Sequence, residues 1–369
     1  MKTIDIIAGA RPNFMKIGPI IRALQARKKA GGVLRYRLVH TGQHYDASMS
    51  GDFFAQLGIP QPDVNLEVGS GTQAEQAAAI MVRYEKLLLE APSDLCLVVG
   101  DVTSTMACAI AARKLVVPVA HVEAGIRSGD WTMPEEINRV VTDSITNWFF
   151  TTSAQADANL QRAGVEPERL FFVGNTMIDT LLANLDRLQL PTFWEELALR
   201  PGGYFVLTLH RPANVDVKAG FARLLAAVAE GTRGMPAVFP VHPRTAKTLR
   251  ELDAVPDSIH LVEPQAYLEF IYLVKHAKAV ITDSGGITEE ATVLDIPCIT
   301  LRNSTERPET VTIGTNELIG TDPAALKPVL NRLFAGQWKQ GGIPELWDGR
   351  TGERIVAELE RLLGGDFLP

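Results

Sequence analysis

The segment Ala279-Val-Ile-Thr-Asp-Ser-Gly-Gly-Ile-Thr-Glu-Glu-Ala-Thr-Val-Leu294 contains the pattern that decides the fold. Its first four residues are apolar or β-branched and predict a short buried strand. The run from Ile287 to Leu294 predicts a helix, and small polar residues form the turn between the two elements. The segment is therefore read as one strand–turn–helix unit of an α/β protein.

The same unit recurs on both sides of this segment. Short apolar runs alternate with longer amphipathic runs, an order typical of a parallel sheet covered by helices. The other predicted strands are Ile4–Ala8, Tyr36–His40, Leu95–Val99, Val119–Val122, Trp148–Thr151, Leu170–Val173, Tyr204–Leu209, Ala237–Val241, His260–Val262 and Cys298–Leu301. Helices are predicted between them, for example at Phe14–Lys29, Thr72–Glu90, Ser104–Lys114 and Glu135–Thr146.

The alternation is interrupted once, at 189–203, where prolines and glycines indicate a linker. A chain of 369 residues also suits two domains better than one. We therefore predict an α/β protein of two Rossmann-like, doubly wound domains, residues 1–188 and 203–351, that face each other across a cleft. A last helical run predicts that residues 352–369 pack back on the first domain.

Composition excludes several classes of protein. Acidic residues outnumber basic ones by 43 to 36, a net charge of -7, which argues against a nucleic-acid-binding protein. Cys96, Cys108 and Cys298 lie in apolar contexts without paired spacing, as free thiols do in a reducing compartment. No apolar stretch has the roughly 18 residues that a membrane helix needs, so we expect a cytoplasmic protein with no membrane partner.

Unusual polar residues cluster directly after the predicted strands. The carboxyl ends of parallel strands share one edge of a sheet, and open α/β sheets bind their ligands there. Chance or helix capping explains single clusters but not the repetition in both halves of the chain. The clusters are Gly9–Asn13, Thr41–Asp46, Gly100–Asp101, Glu123–Gly125, His210–Arg211, His242–Arg244, Glu263–Gln265, Asp283–Gly286 and Arg302–Asn303.

Some of these residues have the chemistry that a nucleotide needs. Small residues at 283–286 let backbone N–H groups approach a phosphate at a helix N-terminus, although a plain capped turn has the same composition. Glu290 in that helix can accept from ribose hydroxyls or can be a solvated carboxylate. Arg11 and Lys16 can oppose a diphosphate or pair with carboxylates. Phe270 can stack on a base, although an aromatic residue at helical spacing is usually core.

Three carboxylates, Asp101, Glu123 and Glu135, come from consecutive strand ends or helix starts of the first domain. If the three carboxylates converge, they form a set of acid and base groups. Taken one at a time, each can instead be a helix cap or a first-turn residue that interacts with the helix dipole. His210 and His242 end strands of the second domain. The chain has no metal-ligand spacing, no P-loop and no well-placed dinucleotide fingerprint, so no metal and no cofactor are expected.

Together the motifs resemble the non-hydrolysing UDP-N-acetylglucosamine 2-epimerases. The resemblance implies a glycosyltransferase-B-like fold, a UDP-sugar substrate, a homodimer and C2 epimerisation through 2-acetamidoglucal. It rests on Gly9–Lys16, Thr41–His44, Gly100–Asp101, His121–Gly125, Pro134–Arg139, Val173–Asn175, Leu209–Arg211, Val241–Pro243, Thr282–Gly286 and Thr305–Glu309.

The resemblance also implies roles for individual residues. The implied catalytic residues are Asp101, Glu123, Glu135 and His210. The implied substrate-binding residues are Arg11, Lys16, Gln265, Phe270, Ser284, Gly285, Gly286, Glu290 and Arg307. The family's site for a second, activating UDP-N-acetylglucosamine corresponds to Gln43, His44, Glu136 and His242. Asp46 and Gly69 replace two further residues of that site, which argues against activation by substrate.

Four alternatives remain open from the sequence. A hydrolysing relative would release UDP and free N-acetylmannosamine. The stretches 9–16 and 43–50 also resemble 2-epimerases of UDP-diacetamido-uronic acids, although Thr305–Glu309 favours N-acetylglucosamine. A glycosyltransferase of the same fold would need an acceptor. A nucleotide-sugar sensor would not need the three carboxylates.

Overall fold

The computed structural model describes residues 2–42 and 56–364, except for the side chains of Arg11 and Pro12. These residues divide into two compact units. Unit 1 comprises Met1–Ala183 and Glu345–Pro369, and unit 2 comprises Asn184–Pro344. Each unit is a parallel sheet with helices, which confirms the predicted α/β class.

In the described part of unit 1, seven parallel strands form one sheet in the order β3-β2-β1-β4-β5-β6-β7. The strands are β1 (Lys2–Ala8), β2 (Leu34–His40), β3 (Val64–Asn65), β4 (Leu95–Val99), β5 (Val119–Val122), β6 (Trp148–Thr151) and β7 (Leu170–Phe172). The helices are α1 (Arg11–Lys29), α2 (Gln73–Glu90), α3 (Thr103–Lys114), α4 (Pro134–Ile145), α5 (Ala154–Arg162), α6 (Thr176–Asn184, which runs into unit 2) and, at the end of the chain, α14 (Thr351–Gly364).

Unit 2 repeats this topology with six parallel strands in the order β10-β9-β8-β11-β12-β13. The strands are β8 (Phe205–Thr208), β9 (Ala237–Pro240), β10 (Ile259–Val262), β11 (Ala279–Thr282), β12 (Cys298–Thr300) and β13 (Asn316–Leu318). The helices are α7 (Pro212–Val215), α8 (Lys218–Gly231), α9 (Pro243–Arg250), α10 (Tyr267–His276), α11 (Gly286–Val293), α12 (Pro308–Thr312) and α13 (Leu326–Phe334).

Burial on both faces of the sheets explains why the strands are apolar throughout. In β8, Phe205 and Leu207 belong to one hydrophobic cluster and Val206 to another, because successive side chains of a strand point to opposite faces. All five residues of β4 are buried. Parallel sheets covered by helices require this pattern, and it made these strands predictable.

Two strands, β3 and β13, were not predicted. β3 has only two residues, and β13 reads Asn-Glu-Leu, so neither carries an apolar run. Both lie at the end of the strand order, where one neighbour supplies the pairing. Backbone hydrogen bonds, rather than side-chain burial, hold such strands in a sheet.

The last helix, α14, packs against α1 of unit 1. Asp179 Oδ2 accepts a hydrogen bond from the Gly352 backbone N–H at 2.8 Å and caps the start of α14. A side chain at Gly352 would lie 2.6 Å from the Pro19 carbonyl oxygen, so the contact requires glycine. The chain thus returns to unit 1 after completing unit 2.

Both strand orders reverse direction at one point, between β1 and β4 in unit 1 and between β8 and β11 in unit 2. Ligands of doubly wound folds bind beyond the carboxyl ends of the strands at this switch point. The turns found there begin at Gly9 and Gly100 in unit 1, and at Leu209 and Asp283 in unit 2.

None of the helices in residues 2–42 and 56–364 combines the length and apolar character that a membrane crossing requires.

Candidate active site

Asn13 joins the two turns at the switch point of unit 1. Its side-chain oxygen accepts from the backbone N–H groups of Gly9 and Ala10, both at 3.1 Å, and its amide donates to the Val99 carbonyl at 2.9 Å. Asn13 is 2% exposed. The turn after β1 is thereby attached to the end of β4, directly before Gly100.

Lys16 and Glu123 form a buried ion pair against Gly100. Lys16 Nζ donates to Glu123 Oε2, and the two side chains are 15% and 3% exposed. A Cβ atom at Gly100, whose φ is +69°, would lie 3.1 Å from Lys16 Nζ and 3.3 Å from Glu123 Oε2. Glu123 itself has a φ of +68°, a conformation that costs a non-glycine residue about 1–3 kcal/mol. Such strain is typical of functional sites.

Asp101 follows Gly100 and is held from α4. Arg139 Nη2 donates to Asp101 Oδ2 at 2.5 Å, and the Asn138 side-chain amide donates to the Asp101 carbonyl at 2.8 Å. Glu135 lies half-buried in the first turn of the same helix, four residues before Arg139. Asp101 and Glu123 thus follow the neighbouring strands β4 and β5, and Glu135 lies at the start of α4, the helix whose Asn138 and Arg139 contact Asp101.

Glu136 lies inside the protein. Its carboxylate accepts from Arg139 Nη1 at 2.8 Å, from the Ser128 backbone and hydroxyl at 2.9 and 3.0 Å, and from the Gly129 backbone at 3.0 Å. Burial by itself would raise the pKa of Glu136, but these hydrogen bonds outweigh burial and hold the pKa below its ordinary value. In this structure Glu136 secures the loop before α4.

His121 and Asp143 form a buried pair next to the turns that carry Asp101 and Glu123. His121 Nδ1 is 2.7 Å from Asp143 Oδ1, and His121 Nε2 is 2.8 Å from the Gly100 carbonyl oxygen. Asp143 Oδ2 accepts from the Gly125 backbone at 3.1 Å and pairs with Arg127 at 2.6 Å. This buried group connects the turn at Gly100 with the turn after Glu123.

Asp283 organises the switch point of unit 2. It is fully buried and accepts from the backbone N–H groups of His210 and Arg211 at 3.0 and 2.9 Å, and from the Asn214 amide at 3.0 Å. His210 Nδ1 also lies 3.0 Å from Asp283 Oδ1. Burial would raise the pKa of Asp283, but the hydrogen bond and charge of His210, with the other donors, hold the pKa low.

The turn after β11 ends at the N-terminus of α11, with Ser284 and Gly285 before the first helical residue, Gly286. Glu290 follows in α11 and is 4% exposed. Burial raises its pKa to about 8, against an opposing contribution from Tyr267, and the charge of Glu289 adds to the rise. Glu290 Oε1 has no hydrogen-bond partner among the described residues.

Two buried ion pairs lie next to the start of α11, and one of them includes a residue of the helix. Arg307 Nε lies 2.8 Å from Glu289 Oε1. Arg302 donates two parallel hydrogen bonds of 2.8 Å to Glu306. A Cβ atom at Gly285 would lie 3.7 Å from both Arg302 and Glu306, so this second pair lies beside the turn.

The remaining predicted site residues have mixed surroundings. Gln265 is half-buried and donates to the Glu263 carbonyl at 2.7 Å, and Phe270 packs against a hydrophobic cluster of unit 2. His242 caps α9, and its ring centroid is 5.6 Å from that of His210. Burial lowers the pKa of His242, and the charges of His210 and Arg244 lower it further. Gln43, His44 and the Arg11 side chain lie outside the described residues.

Sequence reasoning assigned no role to the residues that hold the predicted ones, namely Asn13, His121, Arg139, Asp143 and Asp283. His121 did carry a signal, because it is a polar residue inside the otherwise apolar strand β5 and a buried imidazole needs partners. Its partners belong to other elements and could not be identified from spacing. Within residues 2–42 and 56–364, no group of three or more His, Cys, Asp or Glu side chains is arranged to hold a metal ion.

Comparison with known proteins agrees with the resemblance drawn from the motifs. The family model described as UDP-N-acetylglucosamine 2-epimerase matches residues 25–360. The UDP-N-acetylglucosamine 2-epimerase of Methanocaldococcus jannaschii is 40% identical over 366 residues, covering 96% of this chain and 97% of the relative. The UDP-2,3-diacetamido-2,3-dideoxy-D-glucuronate 2-epimerase of Pseudomonas aeruginosa is 38% identical over 367 residues, covering 98% of this chain and 100% of the relative.

A solved structure shows the same agreement in three dimensions. The crystal structure of the M. jannaschii UDP-GlcNAc 2-epimerase in complex with UDP-GlcNAc and UDP matches with a TM-score of 0.84 at 40% identity. The match covers 97% of this chain and 99% of that one. The predicted glycosyltransferase-B-like fold is thereby confirmed. The chain belongs to the UDP-N-acetylglucosamine 2-epimerase family.

Proposed function

We propose that the chain catalyses the reversible epimerisation of UDP-N-acetylglucosamine at C2, which yields UDP-N-acetylmannosamine without releasing the free sugar. The observation that carries the proposal is the pair of carboxylates after β4 and β5, Asp101 and Glu123, which are held by Arg139 and Lys16, with Glu135 at the start of the helix that supplies Arg139. The similarity to epimerases over nearly the whole chain supports it.

The reaction needs acid–base groups because the C2 proton of the sugar is not acidic. In the proposed route a base removes this proton while the C1–O bond breaks, and UDP leaves with the bonding electrons. The products of this step are 2-acetamidoglucal and UDP. Return of a proton to the other face of C2 and re-addition of UDP at C1 complete the epimerisation. Atoms and electrons balance without an oxidant.

The residues of unit 1 suit the proton transfers. Asp101, Glu123 and Glu135 supply acid and base groups and can support positive charge that develops at C1. Lys16 and Arg139 are the cations that hold Glu123 and Asp101 in place.

The residues of unit 2 suit the leaving UDP. Backbone N–H groups at the start of α11, with Ser284, Gly285 and Gly286, favour the developing charge of the diphosphate. Glu290 suits the ribose hydroxyls and Phe270 the uracil. We further propose that His210 and Arg307, with Arg11 and Lys16, contact the diphosphate or the sugar.

Proton NMR of the purified protein with UDP-N-acetylglucosamine in deuterated water, without added NAD or metal, tests the proposal. UDP-N-acetylmannosamine with deuterium at C2 in both sugars supports it. Free N-acetylmannosamine with UDP would establish a hydrolysing enzyme instead. Asp101→Asn should abolish exchange at C2, while Glu168→Gln, an exposed carboxylate of the same unit, should leave it intact.

A second candidate substrate is a UDP-2,3-diacetamido-uronic acid, because a relative of this specificity is 38% identical over its full length. The same NMR experiment with this nucleotide distinguishes the two, and turnover of the uronic acid alone would replace the first proposal. We also infer a homodimer from the family resemblance, and light scattering that gives a mass near 40.2 kDa would contradict it.

Activation by a second substrate molecule is not part of the proposal, because Glu136 is engaged by its own loop. A hyperbolic dependence of rate on UDP-N-acetylglucosamine, without sigmoidal onset, is the expected result.

A further inference from the structure

We propose that His121 is a positioning residue for the catalytic carboxylates and acts as a charged clamp between Asp143 and the Gly100 carbonyl. The inference rests on the proposed function, because it assigns His121 a part in holding Asp101 and Glu123. His121 is fully buried in β5, two residues before Glu123, and does not reach solvent.

The charge of the ring follows from its two neighbours. A backbone carbonyl only accepts hydrogen bonds, so Nε2 must carry a hydrogen to bond the Gly100 oxygen at 2.8 Å. Asp143 also accepts from Gly125 and pairs with Arg127. Burial would raise the pKa of Asp143, but His121 and Arg127 lower it, so Asp143 is a carboxylate that accepts from Nδ1. Both ring nitrogens therefore donate, and the ring is an imidazolium.

The clamp holds Gly100 from both sides. The Gly100 N–H donates to the Val122 carbonyl at 2.9 Å, and the Gly100 carbonyl accepts from His121. Both partners belong to β5, so the residue directly before Asp101 is tied to the residues directly before Glu123. Rotation of Gly100 would also disturb the Lys16–Glu123 pair, which lies against it.

Asp143 extends the same restraint to the other side of Glu123. It binds the Gly125 N–H and Arg127, so the turn after Glu123 is held by the same carboxylate that holds His121. Glu123 has a φ of +68°, a conformation that persists only when its surroundings enforce it. The clamp supplies this enforcement on both sides of the strained residue.

Two substitutions separate the two contacts of the ring. The side-chain amide of Gln reaches the position of Nε2, so His121→Gln can still donate a hydrogen bond to the Gly100 carbonyl. The amide of Asn reaches only the position of Nδ1. His121→Asn therefore keeps the contact with Asp143 and loses the contact with Gly100. We expect His121→Asn to lower kcat roughly 100-fold, the size of effect that a misplacement of about 1 Å produces. His121→Gln should lower kcat only roughly tenfold. KM and the Kd for UDP should stay within about threefold of wild type in both variants.

Tyr84→Phe is the matched control, because it removes a buried hydrogen bond of unit 1 that does not involve the clamp. It should lower stability and leave kcat unchanged. A kcat of His121→Asn equal to that of His121→Gln would overturn the inference, as would a loss that appears in KM and UDP binding instead of kcat.

Nitrogen-15 NMR of the imidazole side chains tests the charge in the wild-type protein, even if the variants fail to fold. We expect both ring nitrogens of one buried histidine to show protonated shifts. If every buried histidine shows one unprotonated nitrogen, the clamp is refuted whether or not the protein turns over UDP-N-acetylglucosamine. Absence of turnover in wild type, with a doubly protonated ring, would refute the proposed function alone.

Discussion

Replacing Glu290 by Gln should change the way in which the stability of the protein depends on pH. Glu290 lies in α11 of unit 2, is 4% exposed and has one carboxylate oxygen without a partner among the described residues. Burial raises its pKa from 4.5 to about 8. Gln has nearly the same shape, fits the same space and carries no titrating proton. The substitution therefore isolates the energetic effect of one proton.

The sign follows from which state holds that proton. Between the unfolded pKa of 4.5 and the folded pKa of about 8, folded Glu290 is protonated and unfolded Glu290 is ionised. The resulting stabilisation is fully present below the unfolded pKa and is lost as pH rises through the folded pKa. The slope is about 1.4 kcal/mol per pH unit, so wild type loses about 3–4 kcal/mol relative to Glu290→Gln between about pH 5 and about pH 8.

Urea unfolding followed by tryptophan fluorescence at several pH values measures this difference. Subtracting the wild-type free energy of unfolding from that of Glu290→Gln cancels the contributions of all other titrating groups. Glu196→Gln is the matched control, because this side chain of unit 2 is exposed in the folded protein. A difference between wild type and Glu290→Gln that does not vary with pH would refute the reasoning and mean that Glu290 is ionised in the folded protein.

Three further changes should alter stability, each measured by urea unfolding. Arg139→Gln leaves the Glu136 carboxylate buried without its cation and should lower the free energy of unfolding by about 3–5 kcal/mol. A decrease of less than about 1 kcal/mol would contradict the buried pairing. Gly125→Ala places a Cβ atom 2.5 Å from a backbone carbonyl oxygen, at a φ of +79°. At Gly129 φ is similar, +72°, but no atom lies within 4 Å of an added Cβ atom. Gly125→Ala should therefore lower the free energy of unfolding more than Gly129→Ala does. Gly129→Ala should lower the free energy of unfolding by roughly 1 kcal/mol. An equal decrease for both variants would show that the close contact at Gly125 relaxes. Tyr84→Phe removes a 3.0 Å hydrogen bond to a buried carboxylate and should cost about 1.5–3 kcal/mol, whereas an unchanged midpoint would mean that the carboxylate finds another donor.

Most of the strands could be predicted because their burial is a local property of the sequence. A strand covered on both faces must be apolar at every position, and β4, with Leu-Cys-Leu-Val-Val, is an example. The positions of the polar clusters were also predictable, because a turn after a buried strand is where the chain reaches the sheet edge. Strand β13, held mainly by backbone pairing, lacks such a signal and was missed.

The sequence by itself thus determined the α/β class, the family and which residues stand at the sheet edges. Only the tertiary structure decided their partners: Lys16 pairs with Glu123 across 107 residues, and His121 with Asp143 across 22. The spacing of apolar residues predicts whether a residue is buried, because that spacing is set by the residue and its immediate neighbours in the sequence. The choice of partner depends on which elements the strand order β3-β2-β1-β4-β5 brings together, and no local pattern encodes that order.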